Sequence, residues 1–379
     1  MAILDFSKAF DTVPHDRLLM KLSSYGVSGP LLDWLKCFLT ERMMKVVIEG
    51  VSSEPTTVDS GVPQGTVLGP ILFLCHINDL PETVSSQVRL FADDCLIYRE
   101  IVTFQDHYTL QRDLKNLETW AENWGMRFNA TKCYIMNISP NPTSSFMYQL
   151  NNTILKTVPT NPYLGILFSD KLSWTPHINN IMKKASCTLG FLKRNLRRCP
   201  TTCKRQAYLA LVRPLMEYGA VVWDPCQKRE IDQMESIQRK AVRFIARDYS
   251  SRTPGFVTGL LKKYNLPTLQ ERREDLRLTL LYKVVEGMVP AIPPSNFLTP
   301  QKPGRKIRPS TRSCTKENPI HSHIKNNDRC FIVPNCNTEK LRQSFFPRTI
   351  VAWNNLPNST VTSSSIESFK TALAVARRR

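Results

Sequence analysis

Two adjacent carboxylates, Asp93 and Asp94, stand at the centre of the run Arg89-Leu90-Phe91-Ala92-Asp93-Asp94-Cys95-Leu96-Ile97-Tyr98. Apolar residues flank them on both sides, so the run is expected to fold as strand, tight turn and strand, with both acids at the turn. Neighbouring like charges repel, and burial raises the cost of keeping both ionised. A divalent cation removes the conflict. Mg²⁺ takes hard oxygen ligands, accepts one or two protein carboxylates and fills its other positions with water and substrate phosphate. Taken alone, the dipeptide fits a solvated Asp turn better. Two further segments reverse that balance.

The first is Ala2-Ile3-Leu4-Asp5-Phe6-Ser7-Lys8-Ala9-Phe10-Asp11-Thr12-Val13-Pro14-His15, an apolar strand that ends in Asp5 and turns toward a helix near Pro14 to Lys21. It places a third carboxylate beside the hairpin. The second is Ser60-Gly61-Val62-Pro63-Gln64-Gly65-Thr66-Val67-Leu68-Gly69-Pro70, whose glycines and Pro63 enforce one backbone path before an apolar helix from about Val67 to Ile77. A glycine-rich turn of this kind lets backbone approach a nucleotide or nucleic acid closely.

In order and spacing, Leu4-Asp5-Phe6-Ser7-Lys8-Ala9-Phe10-Asp11, then Gly61 to Pro70, then Phe91-Ala92-Asp93-Asp94 resemble the reverse transcriptases of non-LTR (LINE-type) retrotransposons. Viral RNA-dependent RNA polymerases share a carboxylate hairpin but are not expected to carry Pro63-Gln64-Gly65. The resemblance runs to about residue 200 and, more loosely, to the C-terminus. It implies an α+β fold: a polymerase palm, built as an antiparallel sheet with packed helices, followed by an all-helical basic thumb and C-terminal region. The implied activity is RNA-directed DNA polymerase, a nucleotidyl transfer from a deoxynucleoside triphosphate to the 3′-hydroxyl of a DNA primer on an RNA template. Two ions, Mg²⁺ or Mn²⁺, would divide the work between hydroxyl and pyrophosphate.

The same resemblance implies site residues. Asp5 and Asp93 are the first metal ligands, Asp94 supports them, and the main-chain oxygen of Phe6 completes a site. Asp11 is expected to cap the following helix instead. Phe10 is the steric gate beneath the incoming sugar, excluding a 2′-hydroxyl. Pro63, Gln64 and Gly65 face the template or the nascent pair. Lys132 lies near the leaving pyrophosphate as general acid or counter-charge. Tyr163-Leu164-Gly165 matches the primer grip, with a plain structural hairpin as the equal alternative.

Charge divides the 379 residues. Residues 1–180 hold 14 Lys/Arg against 18 Asp/Glu, whereas residues 181–379 hold 37 against 14. The acidic half carries the carboxylates; the basic half suits a polyanion such as RNA or DNA, bound in a salt-dependent way. No apolar run is long enough for a bilayer, so no membrane partner is expected. Eleven cysteines, an odd and unpaired set, with no signal peptide, suit an intracellular protein, in the nucleus or a cytoplasmic ribonucleoprotein, rather than a secreted one. Cys199-x3-Cys203 and Cys330-x5-Cys336, near His321 and His323, give no clean four-ligand pattern, and zinc is not expected.

Four segments are expected: a palm over 1–170, a helical thumb and connection over 171–288, a basic Pro-rich linker over 289–344, and a small terminal element over 345–379 anchored by Trp353. The thumb opens with a helix from His177 to Arg198, apolar at Ile178, Ile181, Met182, Ala185, Leu189, Leu192 and Leu196. Its other face carries Lys183, Lys184, Lys193, Arg194, Arg197 and Arg198 for the nucleic-acid backbone. A second basic helix, Lys228 to Arg247, carries Arg239, Lys240, Arg243 and Arg247. The family's fingers segment precedes the position of Asp5, so the sequence reads as an N-terminally truncated member. The alternative function is a non-catalytic nucleic-acid-binding remnant that uses the basic thumb.

Overall fold

The computed structural model describes residues 1–139, 146–301 and 327–377. The basic stretch with Lys302, Arg305, Lys306, Arg308, Arg312 and Lys316, and both His321 and His323, lie outside the described residues. The chain forms two compact units, Met1–Ser173 and Trp174–Arg379.

The first unit is built on a five-stranded sheet of β1 (Ala2–Asp5), β2 (Gln87–Phe91), β3 (Asp94–Tyr98), β4 (Tyr134–Ile135) and β5 (Lys156–Thr157), in the order β5-β4-β1-β3-β2. Alternation along the central strands sorts their faces. Ala2, Leu4, Cys95 and Ile97 are at most 1% exposed and enter the core, while Asp5 and Asp94 lie on the other face. The core is completed by α1 (His15–Ser24), α2 (Pro30–Leu39), α3 (Leu68–Ile77) and α4 (Phe104–Asn123), through Leu18, Leu39, Phe73, Leu114 and Leu117 among others. A capping box between Thr103 and Asp106 starts α4, and Gly125, at φ 72°, follows its end.

The expected all-antiparallel sheet is corrected at one edge, where β5 runs parallel to β4. A parallel neighbour requires a crossover connection rather than a tight hairpin. The return to the sheet after Met126 is brief. The 3₁₀ turn Ala130–Lys132 occupies its first part, and only Tyr134–Ile135 pairs with β1. Between α2 and α3 the chain forms two short exposed ribbons, Met43–Met44 with Thr56–Thr57 and Val47–Ile48 with Val51–Ser52.

His76, on α3, is fully buried between the rings of Trp120 and Trp124. Burial, followed by the charge of Lys21, pushes its pKa down to about 4. The folded state therefore holds it neutral, whereas the unfolded chain protonates it near its ordinary value. Its contribution to stability is present above pH 6.5 and is lost as pH falls toward 4, on the order of 3 kcal/mol in total. Urea midpoints at pH 7 and pH 5 check this. His76→Phe should flatten the difference relative to wild type; an unchanged difference contradicts the assignment.

The second unit is helical. Its first long helix, α5 (Thr175–Asn195), buries Ile178, Ile181, Ala185, Leu189 and Leu192 and leaves Lys183, Lys184 and Arg194 exposed. Residues 201–216 form α6 (Thr201–Ala207), a π-helical turn at Tyr208–Val212 and a 3₁₀ turn at Arg213–Met216. Pro214 cannot donate to the α ladder, and the run tightens there. Next come α7 (Lys228–Ala246), α8 (Phe256–Lys263) and α9 (Leu269–Val285). The terminal helices α10 (Phe345–Asn354) and α11 (Ile366–Ala376) pack on α9 in one core. There Trp353 is fully buried, its indole N–H donates to Arg329 O at 2.8 Å, and Phe369 stacks on Tyr282. Residues 345–377 lie within the second unit.

Candidate active site

β1 and β3 pair antiparallel in the register Leu4↔Cys95 and Asp5↔Asp94. Directly opposed residues of an antiparallel pair share a face, so these two carboxylates are brought side by side. Asp93 completes the turn between β2 and β3, with Phe91 paired to Asp94. Ala92 holds φ at 51°, a left-handed conformation that costs a residue with a Cβ about 1–2 kcal/mol. The tight turn keeps Asp93 and Asp94 together at the strand end.

The electrostatics of this corner are those of crowded anions. Burial, then Asp93, then Asp5 raise the pKa of Asp94 above the ordinary carboxylate range. Among the described residues, Asp5 Oδ2 is occluded without a hydrogen-bond partner, and its one counter-charge is the Lys132 ammonium at 3.6 Å. Lys132 reaches it from the 3₁₀ turn Ala130–Lys132, which is tied down by Asn129 N–H donating to Asp5 O at 2.8 Å. An orphaned carboxylate oxygen beside a second, partly desolvated carboxylate is a donor set that fits a hard divalent cation. Among the described residues, no three His, Cys, Asp or Glu side chains are grouped to hold an ion by themselves. The fit is therefore to a cation that keeps water and phosphate in its shell, as Mg²⁺ does. The ring of Phe6 is buried against Phe128, with centroids 4.2 Å apart, so its main-chain carbonyl is its only possible ligand.

Beyond Asp5 the chain bends at Lys8, with φ 49°, into the 3₁₀ turn Ala9–Asp11. The turn stacks Phe10 on Phe73 of α3, with centroids 4.4 Å apart. The glycine-rich loop is bolted to this turn. Gly61 N–H donates to Val13 O and Val62 N–H to Phe10 O, each at 2.8 Å, and Ser60 Oγ donates to Asp11 O at 2.8 Å. Thr66 Oγ1 donates to Pro63 O and accepts from Gly69 N–H, closing the loop onto α3.

Asp11 does not cap α1. That helix starts after Pro14 with no side-chain cap, and Asp11 Oδ1 accepts from Gln64 Nε2 at 2.7 Å. Asp11 stands three residues before the N-cap position, Pro14, and its carboxylate is engaged by Gln64.

Tyr163 ends β6 (Thr160–Tyr163), and Ile166 begins β7 (Ile166–Ser169). Leu164 and Gly165, at φ 48° and 77°, form the two-residue turn between them, a conformation that matches the strand twist. Tyr163 is near enough to Asp94 for that carboxylate to raise its hydroxyl pKa, after burial as the larger cause. The structure thus gathers Asp5, Asp93, Asp94, Lys132 and Tyr163 in one corner of the first unit. Phe10, Pro63, Gln64 and Gly65 belong to the turn and loop that follow Asp5. Lys183, Lys184, Lys193, Arg194, Arg197 and Arg198 belong to the second unit. Two partners were not foreseen. Phe73 lies on the α3 face already marked by Leu72, His76 and Ile77, which apolar periodicity points to. His15, whose Nε2 lies 2.8 Å from Gly61 O, carries no local signal. A cavity of about 1290 Å³ in the first unit is lined by Tyr98, Phe104, His107 and Tyr148, among others, and touches none of the three carboxylates.

Residues 1–168 match the family model described as reverse transcriptase (RNA-dependent DNA polymerase). These residues are a reverse transcriptase domain. Its relatives place it with the non-LTR retrotransposon enzymes. The chain is similar to the RNA-directed DNA polymerase from mobile element jockey of Drosophila melanogaster, 29% identical over 65% of this chain and 28% of the relative. It is also similar to the probable RNA-directed DNA polymerase from transposon BS of Drosophila melanogaster, 28% identical over 71% of this chain and 31% of the relative. The chain spans less than a third of the length of these curated relatives. A solved telomerase from Candida albicans, in complex with a fragment of telomeric RNA, aligns with a TM-score of 0.34 and 11% identity over 72% of this chain and 48% of that one. At that score the alignment does not bear on the fold. Reverse transcriptases act with divalent metal ions, in keeping with the donor set at Asp5 and Asp94. No helix among the described residues is long and apolar enough to cross a membrane.

Proposed function

We propose that the chain carries out RNA-directed DNA synthesis, joining deoxynucleoside triphosphates to a DNA primer on an RNA template, at the corner formed by Asp5, Asp93 and Asp94. The observation that carries the reading is the opposition of Asp5 and Asp94 across β1 and β3, with the occluded Asp5 oxygen beside Lys132. Asp5, Asp93 and Asp94 would hold the divalent ions, with the Phe6 carbonyl as a further ligand. Those ions, when bound, supply a more acidic primer hydroxyl and offset charge on the leaving pyrophosphate.

The remaining work falls to the chain's own groups. Lys132 is mobile enough, at 67% exposure, to leave Asp5 and meet the pyrophosphate as donor or counter-charge. The Phe10 ring, fixed from below by Phe73, forms a floor for the sugar. Gln64, anchored on Asp11, and the Pro63–Gly65 backbone face the template or the nascent pair. Tyr163, Leu164 and Gly165 hold the primer end near Asp94. The first unit acts as palm, and the exposed cations of α5 act as a thumb on the template–primer backbone.

Extension of a DNA primer on an RNA template of mixed sequence tests the reading. The product should be complementary to the RNA, and template-independent or absent synthesis overturns it. The same assay tests the gate. Phe10→Val should raise ribonucleotide incorporation relative to deoxynucleotide by roughly 10²-fold, the scale of steric discrimination in an apolar pocket. A ratio equal to wild type would show that Phe10 is only a packing residue on Phe73.

A further inference from the structure

The second unit holds a cavity of about 360 Å³ walled by Lys193, Arg197, Arg198, Lys204, Arg247 and Tyr249, with the Phe244 ring beside it. No acidic residue lines it. Lys204 is 1% exposed, and its ammonium sits 5.0 Å from the Phe244 ring centroid, with neither a carboxylate nor a hydrogen-bond acceptor among the described residues. Arg247, held at φ 58° just past α7, donates to Arg198 O and Cys199 O at 2.7 and 2.6 Å and so brings the ends of two helices together around the cavity. Lys193 lies 5.8 Å from the Tyr249 ring centroid.

An ammonium that faces a cavity with four more cations around it and no counter-ion is repelled by all of them. An anion entering the cavity satisfies all of them. Burial, then Arg247, lower the pKa of Lys204, the direction expected of a cation that lacks its counter-ion. Tyr249 is 53% exposed and offers a ring face at the rim. Lys183 and Arg194 are eleven residues apart, which puts them on one face of α5, and Arg197 and Arg198 follow just past its end. At helical rise the track from Lys183 to Arg194 is about 16 Å long. A single phosphate ion would use the cavity but neither the ring nor the track.

We propose that this cavity holds one backbone phosphate of single-stranded nucleic acid, with an adjoining base stacked on Tyr249 and the strand continuing along the basic face of α5. The inference rests on the reading of α5 as a nucleic-acid-binding helix, and it adds Lys204, Arg247 and Tyr249 as a defined subsite.

The test is anisotropy titration of the full chain with a short labelled oligo(A) RNA across a range of NaCl concentrations. Lys204→Met should weaken binding about 10-fold and reduce the slope of log affinity against log salt by about 1, as expected when one fewer phosphate is neutralised. Tyr249→Ala should weaken it about 5- to 10-fold with the slope unchanged. Lys262→Met, which removes one exposed charge elsewhere, should stay within about twofold. Without RNA, Lys204→Met should melt no lower than wild type, because it removes a charge repelled by the four other cations of the cavity. If it fails to fold, Tyr249→Ala carries the test. Equal affinity and slope for Lys204→Met and Lys262→Met overturn the subsite. If Arg194→Gln nevertheless weakens binding, α5 keeps its role; if wild type shows no salt-dependent RNA binding at all, that role fails too. Protection of wild type but not Lys204→Met by inorganic phosphate, with RNA affinity the same in both, would reveal a free-anion site and also overturn the proposal.

Discussion

Gly61→Ala is expected to cost the first unit at least about 3 kcal/mol, and Gly65→Ala only about 1–2. Both glycines have positive φ, 88° and 77°, so both substitutions incur the left-handed backbone cost of about 1–2 kcal/mol. They differ in space. A Cβ on Gly61 would lie 2.8 Å from Asp11 Cα, Asp11 O and Phe10 O, all backbone atoms, whereas a Cβ on Gly65 meets nothing within 4 Å. Backbone cannot yield as a flexible side chain can. Relief requires the Gly61 loop to lift from the Phe10 turn, which breaks the bonds of Gly61 to Val13 and Val62 to Phe10 and leaves buried polar groups unpaired. Urea unfolding monitored by tryptophan fluorescence measures both variants. Equal losses would show that the close approach of loop and turn is not what Gly61 provides.

Asp5→Asn is expected to lower the rate of primer extension by about 10³-fold or more, while Lys132→Ala lowers it by roughly 10²-fold. The asymmetry follows from their positions. Asp5 is fixed on a central strand, opposite Asp94, with an oxygen that has no hydrogen-bond donor; no neighbouring acid can replace it, since Asp93 and Asp94 are already at the same corner. Lys132 is mostly exposed and contacts Asp5 at 3.6 Å, a distance at which charge matters more than geometry. Single-turnover incorporation under saturating nucleotide separates the two. A loss at Asp5→Asn no greater than that at Lys132→Ala would contradict the assignment of Asp5 as a ligand.

Much of the fold and the site is legible in the sequence. The alternation around Asp93-Asp94 prescribes a hairpin, and the structure has one with the acids at its turn. The apolar stripe on α5 defines that helix to within a few residues. What is not legible depends on contacts far apart in sequence. Asp11 has the chemistry of a cap, but Gln64, fifty-three residues away, takes its carboxylate. The parallel edge pair of β4 and β5 depends on how a crossover closes, which no local pattern encodes. Lys204 reads as one more surface lysine of a basic helix. Only the packing of α6 against α7 buries it over Phe244.

The most direct measurement is extension of oligo(dT) on poly(A) with deoxythymidine triphosphate and Mg²⁺, run with wild type beside Asp93→Asn/Asp94→Asn, with RNA binding measured on the same preparations. The account predicts extension by wild type, none by the double variant, and equal RNA affinity in the two. Extension that survives loss of both carboxylates would contradict it. So would a wild-type chain that binds RNA in a salt-sensitive way yet adds no nucleotide, which would mark the chain as a binding protein built on a reverse transcriptase domain.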